Sequence, residues 1–319
     1  MRLPFSLVHH SKYFQQLRWV HTMNPTTPPR HLSKTIVIMG PTGSGKSKLS
    51  IDLTSRFFTY SEIINSDKIQ LYSGLNITTN KITPQDQLGV THHLLGEINS
   101  SHSLTPFEFR SLASGYVTNI TSRNKNPFIV GGSNSLIYAL LSKKFDPNSN
   151  IFHDPKPDTI CSERQYNCCF LYVHVAQPTL NQYLTKRVDE MLDSGMLQEL
   201  HHFFESGSFD SVSPTGLRQA IGIPELEKYI RYTKCTDFNK DAAKAMYDDA
   251  ITQIKLNTCQ LAERQVEKIQ RLREIGWDLH KIDATEAVTA SLRGERVGEI
   301  WERDVVGPSV KIVKRFLEE

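Results

Sequence analysis

The chain of 319 residues has no apolar run approaching the roughly 20 residues of a helical membrane span, which excludes that class. Its five cysteines, Cys161, Cys168, Cys169, Cys235 and Cys259, form no C-x-x-C pair and no Cys/His finger. The odd count and irregular spacing point to free thiols in a reducing compartment, not to a disulfide framework or a zinc site. A net charge of +3 is too small to demand a nucleic-acid partner. No acidic residue precedes Asp52, although Arg2, Lys12, Arg18, Arg30 and Lys34 do. That leader also lacks the apolar core of a secretory signal. An acid-free, Arg-containing stretch has the composition of an organellar transit peptide, so residues 1–33 read as a disordered, addressed leader. Without a secretory signal, the sequons at Asn76 and Asn119 carry no weight. No internal repeat or low-complexity tract is present.

What is there begins at residues 40–47, Gly-Pro-Thr-Gly-Ser-Gly-Lys-Ser. The stretch follows an apolar run, Thr35 to Met39, and precedes a helix-like pattern from Lys48 to Phe58. It satisfies G-x-x-x-x-G-K-[ST] in the strand–loop–helix setting that the chemistry needs. Glycines let backbone N–H groups turn inward, and the helix N-terminus adds partial positive charge. Lys46 can neutralise phosphate oxygens, and the Ser47 hydroxyl can ligate Mg²⁺.

Further strands are expected at Glu62–Asn65, Pro127–Val130, Phe170–Val175 and Leu279–Ile282. Helices are expected over Leu104–Ser122, capped by Thr105 with Pro106 in the first turn, and over Asn134–Ser142. Thr179–Ser194 reads as a helix stopped by Gly195. Short helices follow to about Thr233, and Asp241–Ile275 reads as one long helix capped by Asp241. Its apolar stripe runs through Tyr247, Ile251, Ile254, Thr258, Leu261, Val266, Ile269 and Leu272. Alternating strands and helices predict an α/β fold, a P-loop NTPase-like parallel sheet flanked by helices with a smaller, mainly helical inserted subdomain. The expected divisions are a core over 34–178, a helical acceptor-side subdomain over 179–240, and 241–319 for the returning helix, last strand and tail. Ligands of such sheets sit beyond the carboxyl ends of the strands, where the P-loop, Asp67 and Gly131-Gly132-Ser133 should line one crevice. Asp67 there is a Mg²⁺ ligand, a base aimed at an acceptor, or a loop cap. The adjacent His92 and His93 do not chelate readily from regular structure and read as mostly structural.

Five motifs in order now define a resemblance. They are residues 40–47, Asn65-Ser-Asp-Lys-Ile-Gln-Leu-Tyr72, Gly74-Leu-Asn-Ile-Thr-Thr-Asn-Lys81, His92-His-Leu-Leu-Gly96 and Gly131-Gly-Ser133. Gly216-Leu-Arg-Gln-Ala-Ile-Gly222 and Leu261-Ala-Glu-Arg-Gln265 extend it across roughly Lys34 to Asp283. The chain resembles the isopentenyltransferases, which include tRNA dimethylallyltransferases and the plant adenylate enzymes of cytokinin synthesis. The resemblance implies that Gly40, Pro41, Thr42, Gly43, Ser44, Gly45, Lys46 and Ser47 hold the diphosphate of dimethylallyl diphosphate, with Mg²⁺ on Ser47. It implies that Asp67 takes the proton of the adenine exocyclic amine, and that Thr42 orients the amine or the donor oxygens or else only packs in its loop. Asp67, Thr42 and Lys46 are thus the expected catalytic residues.

Gly132 and Ser133 are expected to admit the acceptor nucleotide closely. Arg218, Lys255, Arg264 and Lys268 are the bases expected near phosphate, Arg264 on the donor side and Arg218 and Lys255 on the acceptor side; a solvated charged face is the plainer reading of each. Arg264 and Lys268 share a helix face. The tail after Ala284 has no cysteine for an RNA-binding finger and no basic-aromatic platform, so nucleic acid is not the expected partner. Lys68 and the Asn257-Thr258 step look like the plant adenylate group, which implies ADP or ATP as acceptor, with AMP possible. A tRNA acceptor and a small-molecule kinase are the alternatives. A monomer without membrane association is expected, in a plastid by resemblance, with the mitochondrion or cytoplasm as alternatives.

Overall fold

The computed structural model describes residues 32–148, 151–152, 161–206, 209, 212–234 and 237–319. The leader, apart from residues 32 and 33, and Cys235 lie outside the described residues. Six strands form one wholly parallel sheet: β1 Lys34–Met39, β2 Ser61–Asn65, β3 His92–His93, β4 Asn126–Gly131, β5 Asn167–His174 and β6 Leu279–Asp283. Their spatial order is β3-β2-β4-β1-β5-β6. The two-residue edge strand β3 was not expected, because two polar residues carry no alternating signal. The other strands fall where their apolar runs predict.

Nearly continuous Val/Ile/Phe runs suit a sheet covered on both sides. One face, with Val37, Met39, Ile64, Ile129, Phe170 and Tyr172, packs under α2 (Pro106–Ser122) and α3 (Asn134–Leu141). The other, with Ile36, Ile38, Ile63, Phe128, Leu171 and Val173, packs under α1 (Lys46–Arg56) and the start of α4 (Gln177–Asp193). Thr105 caps α2 as expected, in a reciprocal capping box with Glu108. The helical segment continues with α5 (Met196–Glu205) and α6 (Ile223–Thr233), whose Leu200, Leu226 and Ile230 join the first of the two cores.

The long helix α7 runs over Lys240–Glu274 and packs against α6 and α4. Asn239, not Asp241, caps it: the Asn239 side chain accepts from the Ala242 N–H at 3.0 Å, and Asp241 sits in the first turn. Its buried face includes Ala262 and Gln265, where the apolar stripe predicted Leu261 and Val266. After β6 come α8 (Thr285–Arg293), α9 (Gly298–Trp301), a π turn over Glu302–Val306, and α10 (Gly307–Glu318).

Candidate active site

The P-loop leaves the end of β1 and feeds α1, and its glycines are dictated by close neighbours. A Cβ at Gly40 would lie 2.4 Å from the Val173 carbonyl oxygen. At Gly43 it would meet the Leu184 side chain at 2.6 Å, and at Gly45 the Trp301 ring at 2.7 Å. Trp301 comes from the tail, and its indole N–H donates to Asp52 of α1 at 2.7 Å. The loop is therefore wedged between α4 and the tail. Ser44 is buried beneath it, whereas Ser47 is exposed and lines a cavity of about 690 Å³ together with Thr42, Lys46, Asp67, Lys81 and Arg187.

Lys46 is partly buried, donates to the Pro41 carbonyl at 2.7 Å, and makes no ion pair among the described residues. Burial pushes its pKa down to about 8; nearby Asp67 opposes the shift and Arg187 adds to it. Lys81, also pushed down to about 8 by burial, donates to the Gly74 carbonyl at 2.5 Å and the Thr79 hydroxyl at 3.0 Å. Arg187 projects from α4, and its Nη2 donates to the Thr42 hydroxyl oxygen at 2.9 Å. Burial lowers its pKa too, against the pull of Tyr183 and Asp67. Three partly buried cations thus meet around the P-loop cavity, which the exposed Lys48 also lines.

Asp67 lies two residues past the end of β2. One carboxylate oxygen accepts from the Ile69 N–H at 3.2 Å, a turn of the kind Asp makes beside its own backbone. The residue lines both the P-loop cavity and a second one of about 330 Å³. Thr42, Gln70, Asn80 and Arg187 are shared in the same way, so the two cavities meet at Asp67 and Thr42. The smaller cavity is walled by Lys68, Ser133, Gln219, Thr258 and Arg264. Lys68, Arg264 and Lys268 lie close enough that the first two depress the Lys268 pKa, after burial as the main cause.

Arg264 therefore stands at the smaller cavity rather than at the P-loop. Ser133 reaches it, but its hydroxyl oxygen accepts the Lys68 N–H at 2.8 Å and so holds the Asp67 loop. The glycines before Ser133 answer to protein neighbours: a Cβ at Gly131 would lie 2.4 Å from the Ser66 backbone, and at Gly132 it would lie 2.5 Å from the Gln265 amide nitrogen. Arg218 and Lys255 line neither cavity. Arg218 lies 3.8 Å from the centroid of the Phe209 ring and donates to the Phe209 carbonyl at 2.9 Å, which the nearby aromatic cluster favours over a phosphate role. Lys255 pairs with Asp189 at 2.6 Å, joining α7 to α4. His93 pairs with Glu62 at 2.8 Å and stacks on Tyr116 at 4.5 Å, which makes it structural as expected.

Sequence reasoning missed Arg187 and gave Gln265 no role. Nothing in the local pattern of α4 separates Arg187 from its surface neighbour Lys186. For Gln265 the signal was its place in the Leu261–Gln265 motif, where a polar residue holds a buried helix position. As a test for a metal, the exposed hydroxyl of Ser47 and the carboxylate of Asp67 offer only hard oxygen donors to one cavity. No group of three or more His, Cys, Asp or Glu side chains forms a cage among the described residues. That set fits Mg²⁺, which keeps waters and leans on substrate phosphates.

The IPP transferase family model matches residues 70–156 and 146–271. An adenylate isopentenyltransferase of Humulus lupulus is 48% identical, covering 88% of this chain and 90% of its own length. Adenylate isopentenyltransferase 1, chloroplastic, of Arabidopsis thaliana is 50% identical over 89% of this chain and 81% of its own. Adenylate isopentenyltransferase 7, mitochondrial, of the same plant is 43% identical over 89% and 80%. Among solved structures, a eukaryotic dimethylallyltransferase acting on tRNA aligns with a TM-score of 0.72 at 25% identity, over 90% of this chain and 80% of that one. Matched over most of its length by the family model and by relatives about half identical to it, this chain belongs to the IPP transferase family and is a prenyltransferase.

Proposed function

We propose that this enzyme transfers the dimethylallyl group of dimethylallyl diphosphate to the exocyclic amine of adenine in ADP or ATP, with AMP a possible acceptor. The product is an isopentenyladenine nucleotide, a precursor of cytokinins. One observation carries the reading: two cavities, one under the P-loop and one walled by Lys68 and Arg264, meet at Asp67 and Thr42. A kinase would need both its substrates to converge on a terminal phosphate. A prenyl transfer instead needs a diphosphate held on one side, an amine on the other, and a proton acceptor between them.

In the proposed step the amine nitrogen forms a bond to the allylic carbon as that carbon's bond to the diphosphate oxygen breaks. The amine proton passes to the Asp67 carboxylate, whose position at the junction suits a general base. Negative charge grows on the departing diphosphate. The P-loop N–H groups, Lys46 and Arg187 stabilise it in a preorganised, partly buried setting. Ser47 would hold Mg²⁺, which would supply Lewis-acid neutralisation of the leaving group. Thr42, its hydroxyl oxygen occupied by Arg187, has its proton left to donate. Lys68, Arg264 and Lys268 suit the acceptor's own phosphates.

A plastid is the proposed location, supported by the composition of the leader and by chloroplastic relatives. A reporter fused to residues 1–33 that remains cytosolic would remove that proposal. For the activity, purified protein with dimethylallyl diphosphate and Mg²⁺ is offered AMP, ADP, ATP and unmodified tRNA separately, and mass spectrometry seeks one added prenyl group. Prenylated mononucleotide with unmodified tRNA is the expected result. Prenylated tRNA alone would make the enzyme an RNA modifier, and ADP released from ATP without prenyl transfer would make it a kinase.

A further inference from the structure

Gln265 is a buried polar side chain, 7% exposed, that the proposed chemistry does not use. Its carboxamide oxygen accepts from the Thr42 N–H at 2.7 Å, and its carboxamide nitrogen donates to the Gly132 carbonyl at 3.1 Å. Its main-chain carbonyl accepts from the Asn134 side-chain nitrogen at 3.0 Å, at the start of α3. A fixed backbone donor on one side and a fixed backbone acceptor on the other leave the carboxamide only one orientation. The loop after β1 and the loop after β4 are therefore joined through a single side chain of α7. The next residue toward the amino end, Arg264, lines the smaller cavity.

We infer that Gln265 is a positioning residue that fixes the spacing between the donor and acceptor halves of the cleft. Thr42 is held at its backbone by Gln265 and at its hydroxyl by Arg187, so a residue that lines both cavities has little freedom. Gly132 is held by the same carboxamide, and with it Ser133, which anchors the Asp67 loop through Lys68. The inference rests on the two-substrate reading of the cleft given above. Misplacement of a reacting group by about 1 Å can cost on the order of 10²-fold in rate without disturbing binding elsewhere. The tie therefore acts on turnover more than on affinity.

The test compares wild type, Gln265→Met and Gln265→Glu in the prenyl-transfer assay across pH 5.5 to 8.5, which is roughly the span over which a raised carboxyl titrates. Gln265→Met, similar in size but unable to make either bond, should lower kcat about 10- to 100-fold, with both KM values within about twofold of wild type. Ionised Gln265→Glu can accept from Thr42 but faces the Gly132 carbonyl with no proton; protonated, it can make both bonds. Burial and that carbonyl raise the carboxyl's pKa, so the kcat of Gln265→Glu relative to wild type should climb as pH falls, while the Gln265→Met ratio stays flat. A residue that merely fills space would give no such divergence. Wild-type kcat in Gln265→Met, or a flat ratio for Gln265→Glu, would overturn the positioning role while leaving the activity intact. A wild-type enzyme that prenylates none of the acceptors would instead overturn the functional reading, and the positioning role with it.

Discussion

The two ends of the parallel sheet handle charge in opposite ways. Near the amino end of β2, Glu62 accepts from Arg123 at 2.6 and 2.8 Å and from Lys125 at 2.7 Å, and pairs with His93. Those hydrogen bonds, Arg123's first, hold its carboxyl well below the usual carboxylate range against the opposing effect of burial. At the carboxyl end, five residues later, Asp67 faces open cavities beside Lys46, Lys81 and Arg187, none of which makes an ion pair among the described residues. The first cluster is complete within the protein. In the second, burial pushes the lysine pKa values down and no ion pair among the described residues offsets it. Two acids on one short segment thus differ in role because the strand carries them to different ends of the sheet.

Four changes would break or sharpen that contrast. Asp67→Asn should lose the most, on the order of 10³-fold in kcat with donor binding kept, because an amide accepts the amine proton poorly. Steady-state rates with saturating donor check this, and normal turnover would remove Asp67 from the chemistry. Lys46→Ala should lower kcat/KM by about 10²-fold and weaken binding of inorganic diphosphate, measurable by calorimetry. The same lysine sets a pH dependence. Its pKa of about 8 means that binding the anion above that pH requires taking up a proton. Diphosphate affinity should therefore hold below pH 8 and fall above it, in titrations at fixed ionic strength.

At the other end, Glu62→Gln should leave kcat unchanged and cost about 1–3 kcal/mol of stability by denaturant unfolding, because its cations keep a poorer partner. A depressed carboxylate contributes stability above its ordinary pKa of about 4.5 and loses it as pH falls below that. The wild-type midpoint should accordingly drop on acidification more than that of Glu62→Gln. The smallest effect is expected from Arg264→Ala, about a tenfold rise in acceptor KM with donor KM unchanged, since an exposed charge contributes one charge-assisted contact. An equal rise for AMP, ADP and ATP would place Arg264 away from the distal phosphates.

What the sequence disclosed followed from local rules. The P-loop, the Thr105 cap and five of the six strands are written in spacing and apolar runs that neighbours cannot overrule. Asp67 was legible because a strand end and the P-loop pointed to the same crevice. The direction of long cations was not: Arg218 and Lys255 were expected at phosphate and instead meet Phe209, nine residues away, and Asp189 of α4, partners that only the folded path of the chain brings to them. Arg187 is the converse, a cation of apparently surface character that bonds to Thr42 across 145 positions. Hydrophobic periodicity likewise chose Val266 where the helix buries Gln265, since a count of apolar residues cannot register a carboxamide with both its partners present.

Trp301 lies against Gly45 and is bonded to Asp52 of the helix that the P-loop feeds. The loop and the tail are thus coupled: a side chain at Gly45 that displaced the indole would also take a hydrogen bond from Asp52 of α1, so a change at either place is felt at the other.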